Sequence, residues 1–151
     1  MMPSSDGFEE KIIQINRVSK KTSGGNRVGF SVLTVVGDKK GRVGVGLGKA
    51  PDVTGALRKG MNRARKTMTE ISLKGTTIPY EVRIKVGAAR ILLKPAPAGT
   101  GIIAGGPVRA VVEAAGVRDI VAKILGTRNK ASNVYATMAA LKTLKRQKRE
   151  D

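Results

Sequence analysis

The chain has no cysteine, no histidine and no tryptophan. Without cysteine it can build neither disulfides nor thiolate metal sites. Without histidine it lacks the commonest general base, the commonest neutral metal ligand and the usual activator of a serine or cysteine nucleophile, which leaves carboxylate, lysine or tyrosine chemistry. Aromatic residues are confined to Phe8, Phe30, Tyr80 and Tyr135, so little base stacking on ring platforms is expected. Acids are few, 11 against 29 lysines and arginines, for a net charge of +18. No apolar run approaches the roughly 20 residues that span a bilayer. Residues 1–10 lack the cationic and apolar regions of a secretory signal, so the reading is a cytoplasmic chain with no membrane partner.

What is present is cationic throughout. Residues 1–73 carry 14 basic and 6 acidic side chains, and residues 74–151 carry 15 and 5, so both halves are basic. Such an excess repels itself in a compact chain, and a polyanion relieves that repulsion while releasing its own counterions. A nucleic-acid partner is the expectation. At 151 residues the chain can form one ordinary domain or two small ones.

The organising stretch runs from Gly24 to Lys66. Alternation predicts strands over 11–18, 28–37 and 42–49, the last two joined by the Gly37–Gly41 turn. The polar, cationic segment 19–27 reads as a loop longer than usual for a hairpin. It is either a solvated turn or a phosphate contact made by Arg17, Lys20, Lys21 and Arg27 around Gly24, Gly25 and Asn26. In the third strand Val43, Val45 and Leu47 alternate with Gly44, Gly46 and Gly48, leaving one bare face on which either the next helix or an RNA backbone must lie. Asp52 is suited to cap a helix whose apolar stripe reads Val53, Leu57, Met61, Ala64, Met68 and Ile71. Arg58, Lys59, Arg63, Arg65 and Lys66 occupy the rest of its circumference with no acid among them, and Arg42 and Lys49 add to the predicted RNA-binding set.

Lys74–Thr77 reads as the boundary between halves. Beyond it the pattern predicts strands over 80–86, 90–94 and 119–125, an irregular Pro- and Gly-rich segment over 95–106, a short helix from Val108 to Ala115 with Pro107 suited to its first turn and Gly116 ending it, and a last helix from Asn129 to about Arg146. Val134, Met138, Leu141 and Leu144 are its predicted buried side.

The fold class is therefore α+β in two small domains. The first is three strands plus a helix, like a double-stranded-RNA-binding module lacking its first helix; the second is a sandwich with two helices packed on one sheet. The boundaries are a disordered tail 1–7, domains 8–73 and 78–146, a linker 74–77 and a charged tail 147–151.

Two glycine runs invite a nucleotide-binding reading and fail on spacing. Gly44–Ala50 lacks the Gly five residues ahead of the Gly-Lys pair and the Ser or Thr after it. Gly99–Gly106, with Asp119 downstream, has the wrong interval after Gly101 and too few strand–helix units for a dinucleotide fold. No cofactor, metal, small-molecule substrate or catalytic residue is expected.

The runs Asn16-Arg17-Val18-Ser19-Lys20, Gly24-Gly25-x-Arg27, Leu33–Asp38 and Gly41-Arg42-Val43-Gly44 resemble the family of bacterial small-subunit ribosomal protein five, as does Gly99–Gly106 with Arg109-Ala110-Val111 and Ala114-x-Gly116-Val117. The likeness spans residues 8–146 in unbroken order. It implies a non-catalytic constituent of the small ribosomal subunit that binds its ribosomal RNA, contacts the fourth and eighth small-subunit proteins, supports assembly and decoding accuracy, and lines the channel through which messenger RNA enters. By matching positions, the Val18–Arg27 segment would touch RNA, Gly101 and Arg109 would meet the fourth protein, and Ala136 and Thr137 the eighth. The alternative is a free regulator that binds duplex RNA through the same fold.

Overall fold

A computed structural model describes residues 8–144. The expected tails 1–7 and 147–151, and the end of the last helix near Arg146, lie outside the described residues.

The first half is an antiparallel sheet in the order β1-β2-β3-β4, made of β1 (Glu9–Thr22), β2 (Gly25–Gly37), β3 (Arg42–Ala50) and the short β4 (Thr69–Glu70), with α1 (Val53–Lys66) between β3 and β4. The expected loop over 19–27 is corrected to strand. The β1–β2 ladder continues through Ser19↔Val28 and Lys21↔Asn26 to Thr22↔Gly25, and Ser23-Gly24 turns the chain. Cross-strand hydrogen bonding satisfies the backbone of a segment whose polar side chains read locally as loop. Because β3 pairs with β2 only from Phe30 to Gly37, residues 18–29 form a two-stranded ribbon beyond the sheet, about 15 Å long from the strand rise.

Leu33, Val35 and Val43 look towards the second half, while Val32, Thr34 and Val36 share their face with Gly44, Gly46 and Gly48. The helix, not RNA, covers that bare face: a Cβ at Gly44, Gly46 or Gly48 would sit 2.1, 2.1 or 2.0 Å from the carbonyl oxygens of Ala64, Gly60 and Ala56. The buried stripe of α1 is accordingly Ala56, Gly60 and Ala64, spaced by four. This corrects the expected stripe. Val53 is exposed, Leu57 and Met61 flank the contact half-buried, and Met68 and Ile71 lie past the helix end. Small residues take the centre because the helix backbone lies almost on the strand. Asp52 caps the helix as expected, its carboxylate accepting from the Gly55 amide at 3.2 Å.

The second half is a sheet in the order β5-β6-β8-β7: β5 (Val82–Val86), β6 (Ala89–Pro95), β7 (Ile102–Ile103) and β8 (Ile120–Ile124). β7 and β8 are parallel and the other pairs antiparallel. Helices α2 (Gly106–Ala115) and α3 (Lys130–Thr143) lie on one side of it. Gly116 ends α2 with φ 101°, and Asn129 caps α3 by accepting from the Ser132 amide at 3.0 Å. Mixed α+β content in two sheets agrees with the expected class.

The two halves share one core, in which Leu33, Val35, Val43 and Ile71 join Ile78, Leu93, Val111, Ile120 and Leu141. The boundary at 74–77 is an ordered turn, closed by hydrogen bonds between Lys74 and Thr77 and tied to the second half by the Thr76 carbonyl, which accepts from the Arg118 and Asp119 amides. No helix among the described residues is long and apolar enough to cross a membrane.

Candidate nucleic-acid interface

Cations reach the surface of the first half from three elements. At the root of the ribbon Arg17 is exposed and pairs in register with Phe30. Further out, Lys20 stands opposite Arg27 in the ladder. Gly24 and Gly25 form the tip, where a Cβ would meet nothing within 4 Å, and Gly25 has φ 123°. The backbone at the tip can thus be approached closely.

On α1 and β3 the predicted cations separate into two groups. Lys49, Arg58, Lys59 and Lys66 are exposed, with no acidic partner among the described residues. Three others are already engaged within the chain. Arg65 Nη2 lies 2.7 Å from Glu10 Oε2 and its guanidinium 5.1 Å from the centre of the Phe8 ring, which fastens the start of β1 to α1. Arg63 Nη1 donates to the Leu47 carbonyl at 2.9 Å. Arg42 Nε donates to Asp38 Oδ2 at 3.1 Å, and Asp38 also accepts from the Lys40 and Arg42 amides. Those amides and the Arg42 guanidinium hold the Asp38 carboxyl below its ordinary value despite partial burial. Sequence alone ranks these three arginines with the rest, because their acidic and carbonyl partners lie on other elements or across a turn.

The expected protein contacts fare differently. Arg109 is exposed on α2, with Nε 3.6 Å from Glu113 Oε2, and beside it a depression of about 310 Å³ is lined by Lys39, Ile102, Glu113, Gly116, Val117 and Arg118. Gly101 has φ 80° and its amide donates to Asp119 Oδ1 at 2.8 Å. Ala136 and Thr137 are both 0% exposed, so the expectation that they face a partner is corrected. Helix α3 packs on the second sheet and on α2 while also reaching β3 and β1, which buries more of its circumference than one stripe. Tyr135, Lys142 and Thr143 are the residues it exposes in that region.

Asp119 is buried and turned inward. Its carboxylate accepts from the Gly99 and Gly101 amides at 3.1 and 2.8 Å and bonds the Thr76 hydroxyl. The Thr76 hydrogen bond, then the glycine amides, lower its pKa. The acid that sits where a ribose ligand would be sought is therefore the anchor of the 99–101 turn.

An ion pair that sequence reading missed joins the halves: Lys11 Nζ on β1 donates to Glu113 Oε1 on α2. That hydrogen bond is the main cause holding the Glu113 pKa below its ordinary 4.5, with Arg109 and Lys39 adding charge. A carboxylate whose pKa is depressed by folding stabilises the fold above its unfolded pKa, and that contribution disappears as pH falls through the folded value. Glu113→Gln is thus expected to be less stable than the parent at pH 7, with the difference shrinking towards zero below about pH 4, as read by urea unfolding across pH.

The family model for "Ribosomal protein S5, N-terminal domain" matches residues 8–72, and that for "Ribosomal protein S5, C-terminal domain" matches residues 84–150. A protein of Lawsonia intracellularis named small ribosomal subunit protein uS5 is 54% identical over 145 residues, covering 96% of this chain and 89% of that protein. One of the same name from Thermus thermophilus is 51% identical over 144 residues, covering 95% and 88%.

Proposed function

This chain belongs to the ribosomal protein S5 family, and from that premise we propose that it is a non-catalytic constituent of the small ribosomal subunit which grips ribosomal RNA with its β1–β2 ribbon. The observation that carries this reading is the ribbon itself. A two-stranded projection beyond the sheet, with basic positions at 17, 20, 21 and 27 and a glycine tip, has no evident use inside the fold. Lys49, Arg58, Lys59 and Lys66 extend the phosphate-binding surface onto β3 and α1, while Arg42, Arg63 and Arg65 act mainly within the chain. Phosphate contact and the shape of the RNA, not base stacking, dominate such an interface. Assembly into the subunit places the chain in the cytoplasmic ribosome, with the fourth small-subunit protein at Gly101 and Arg109, and the eighth near the exposed side of α3. Support for decoding accuracy and a position beside the incoming messenger RNA follow from the same assembly.

The test replaces Arg17, Lys20, Lys21 and Arg27 together by glutamine and measures binding to small-subunit ribosomal RNA at several salt concentrations. Each lost phosphate contact removes about 0.7–0.9 from the slope of log K against log salt, so four should lower it by about 3. An unchanged slope with an intact fold would remove the ribbon from the interface. A parent protein that binds duplex RNA but never sediments with the small subunit would favour the free regulator.

A further inference from the structure

Helix α1 leaves one strand of its own sheet uncovered. It lies over β3 and β2, and its apolar residues Leu57 and Met61 flank that contact only half-buried. Register fixes what stands beside them. Gly46 and Gly48 lie under Gly60 and Ala56, Thr34 and Val32 pair with those two strand glycines, and Ile12 and Ile15 pair in turn with Thr34 and Val32. Ile12 is therefore level with the helix at Gly60 and Met61, and Ile15 with Ala56 and Leu57. One step further along, through Val36 and Gly44, Glu10 is level with Ala64 and Arg65, where the ion pair to Arg65 forms.

Two isoleucines three residues apart face opposite sides of a regular strand. The bulge at Ile13 puts both on the α1 side and turns Ile13 to the core. Ile12 and Ile15 are 39% and 47% exposed, so the helix next to them does not cover them. Between β1 and α1 runs a depression of about 300 Å³, lined by Thr54, Leu57, Met61 and Asn62, with Arg58 on its rim and the Glu10–Arg65 pair at one end. Its width suits a helix. Helices packed side by side lie about 8–10 Å apart, which is about two strand spacings, and this sets the next axis over β1.

We propose that this groove seats an amphipathic helix of a partner protein, apolar side down on Ile12, Ile15, Leu57 and Met61 and acidic along its edges. Charge complementarity selects the occupant. Arg58 on α1 and Arg17 on β1 stand exposed beside the groove with no acidic partner among the described residues, while the acid at its end, Glu10, is already paired with Arg65. A second copy of this chain would bring a net charge of +18 to the same cations. An RNA backbone would set phosphates against an aliphatic floor that has nothing to donate to them. An acidic helix satisfies both parts, and the methionine lets the wall adjust to its side chains. Arg17 and Arg58 also belong to the proposed phosphate surface, so RNA and the partner helix would compete for them.

The experiment uses the full chain and a synthetic helix of about 18 residues, leucine on one face and glutamate on the other, beside a peptide of the same composition in scrambled order. The ordered peptide should shift the methyl NMR signals of Ile12, Ile15, Leu57 and Met61 more than any others. Ile12→Thr combined with Ile15→Thr keeps β-branched residues at two exposed strand positions, so the thermal midpoint should be held while the ordered peptide binds about ten-fold more weakly. The scrambled peptide, drawn by charge alone, should not respond to the two substitutions, and neither should the salt slope of RNA binding. Equal binding of the two peptides by the parent, or an ordered peptide indifferent to the threonines, would overturn the proposal by leaving only charge attraction. A leucine–lysine helix that binds as tightly as the leucine–glutamate one would reject the acidic partner. Self-association of the parent that the threonines abolish would give the groove to a second copy, and a lowered RNA salt slope would give it to RNA; either result also overturns the proposal.

Discussion

Gly46→Ala is expected to destabilise the protein by about 3 kcal/mol, near the upper end for overpacking, and to lower the thermal midpoint by about 10 °C. The added Cβ would lie 2.1 Å from the Gly60 carbonyl oxygen and 2.5 Å from the Ala64 amide nitrogen, both of them helix backbone with no rotamer to yield. The helix can respond only by lifting or sliding. It is held over the same strand at Gly44 and Gly48, and Thr34 packs beneath it with its hydroxyl on the Gly46 carbonyl at 3.2 Å. A shift that relieves position 46 therefore loosens several contacts at once. Gly106→Ala is the matched control. Nothing lies within 4 Å of its added Cβ, and alanine suits the first turn of α2 better than glycine, so it should be neutral or stabilising by up to about 1 kcal/mol. Urea unfolding of both variants decides the matter: equal effects would mean that the helix–strand contact is looser than the geometry shows.

This contact was half visible in the sequence. The alternation of Gly44, Gly46 and Gly48 announces that something lies on the strand, but its identity depends on α1 presenting Ala56, Gly60 and Ala64, and hydrophobicity directs attention instead to Val53, Leu57 and Met61. Local signals served well wherever a local cause acts. Asp52 starts a helix, Gly116 ends one, and Val134, Met138, Leu141 and Leu144 are buried as their spacing predicts. They failed where pairing between distant segments decides. Polar residues 19–22 become strand because residues 25–28 run beside them, Arg65 is occupied because Glu10 is brought to it, and Thr137 is buried because α3 touches elements on more than one side.

Gly37→Ala should break the joint between the halves, with a loss of about 3 kcal/mol and of hydrogen-exchange protection at the Lys39 and Gly41 amides. The turn after β2 caps α2 from the other half of the molecule: the Lys39 amide donates to the Ala114 carbonyl at 3.0 Å and the Gly41 amide to the Ala115 carbonyl at 2.9 Å. These are acceptors that a helix end otherwise leaves without an intrahelical partner. The fit requires bare backbone on both sides. A Cβ on Gly37 would lie 2.0 Å from the Ala114 carbonyl oxygen, and one on Gly116, whose φ of 101° already favours glycine, would lie 2.4 Å from the Lys39 carbonyl oxygen. Separating the turn from α2 also pulls Lys11 away from Glu113 and opens the shared core beside Val35 and Val111. Because one core serves both halves, the parent should unfold in a single transition, whereas Gly37→Ala should broaden it or divide it in two by calorimetry. A variant that keeps one sharp transition and full protection at both amides would show that the halves are held by the core alone. In that case the turn's two hydrogen bonds would add nothing to the rigidity of the joint between the halves.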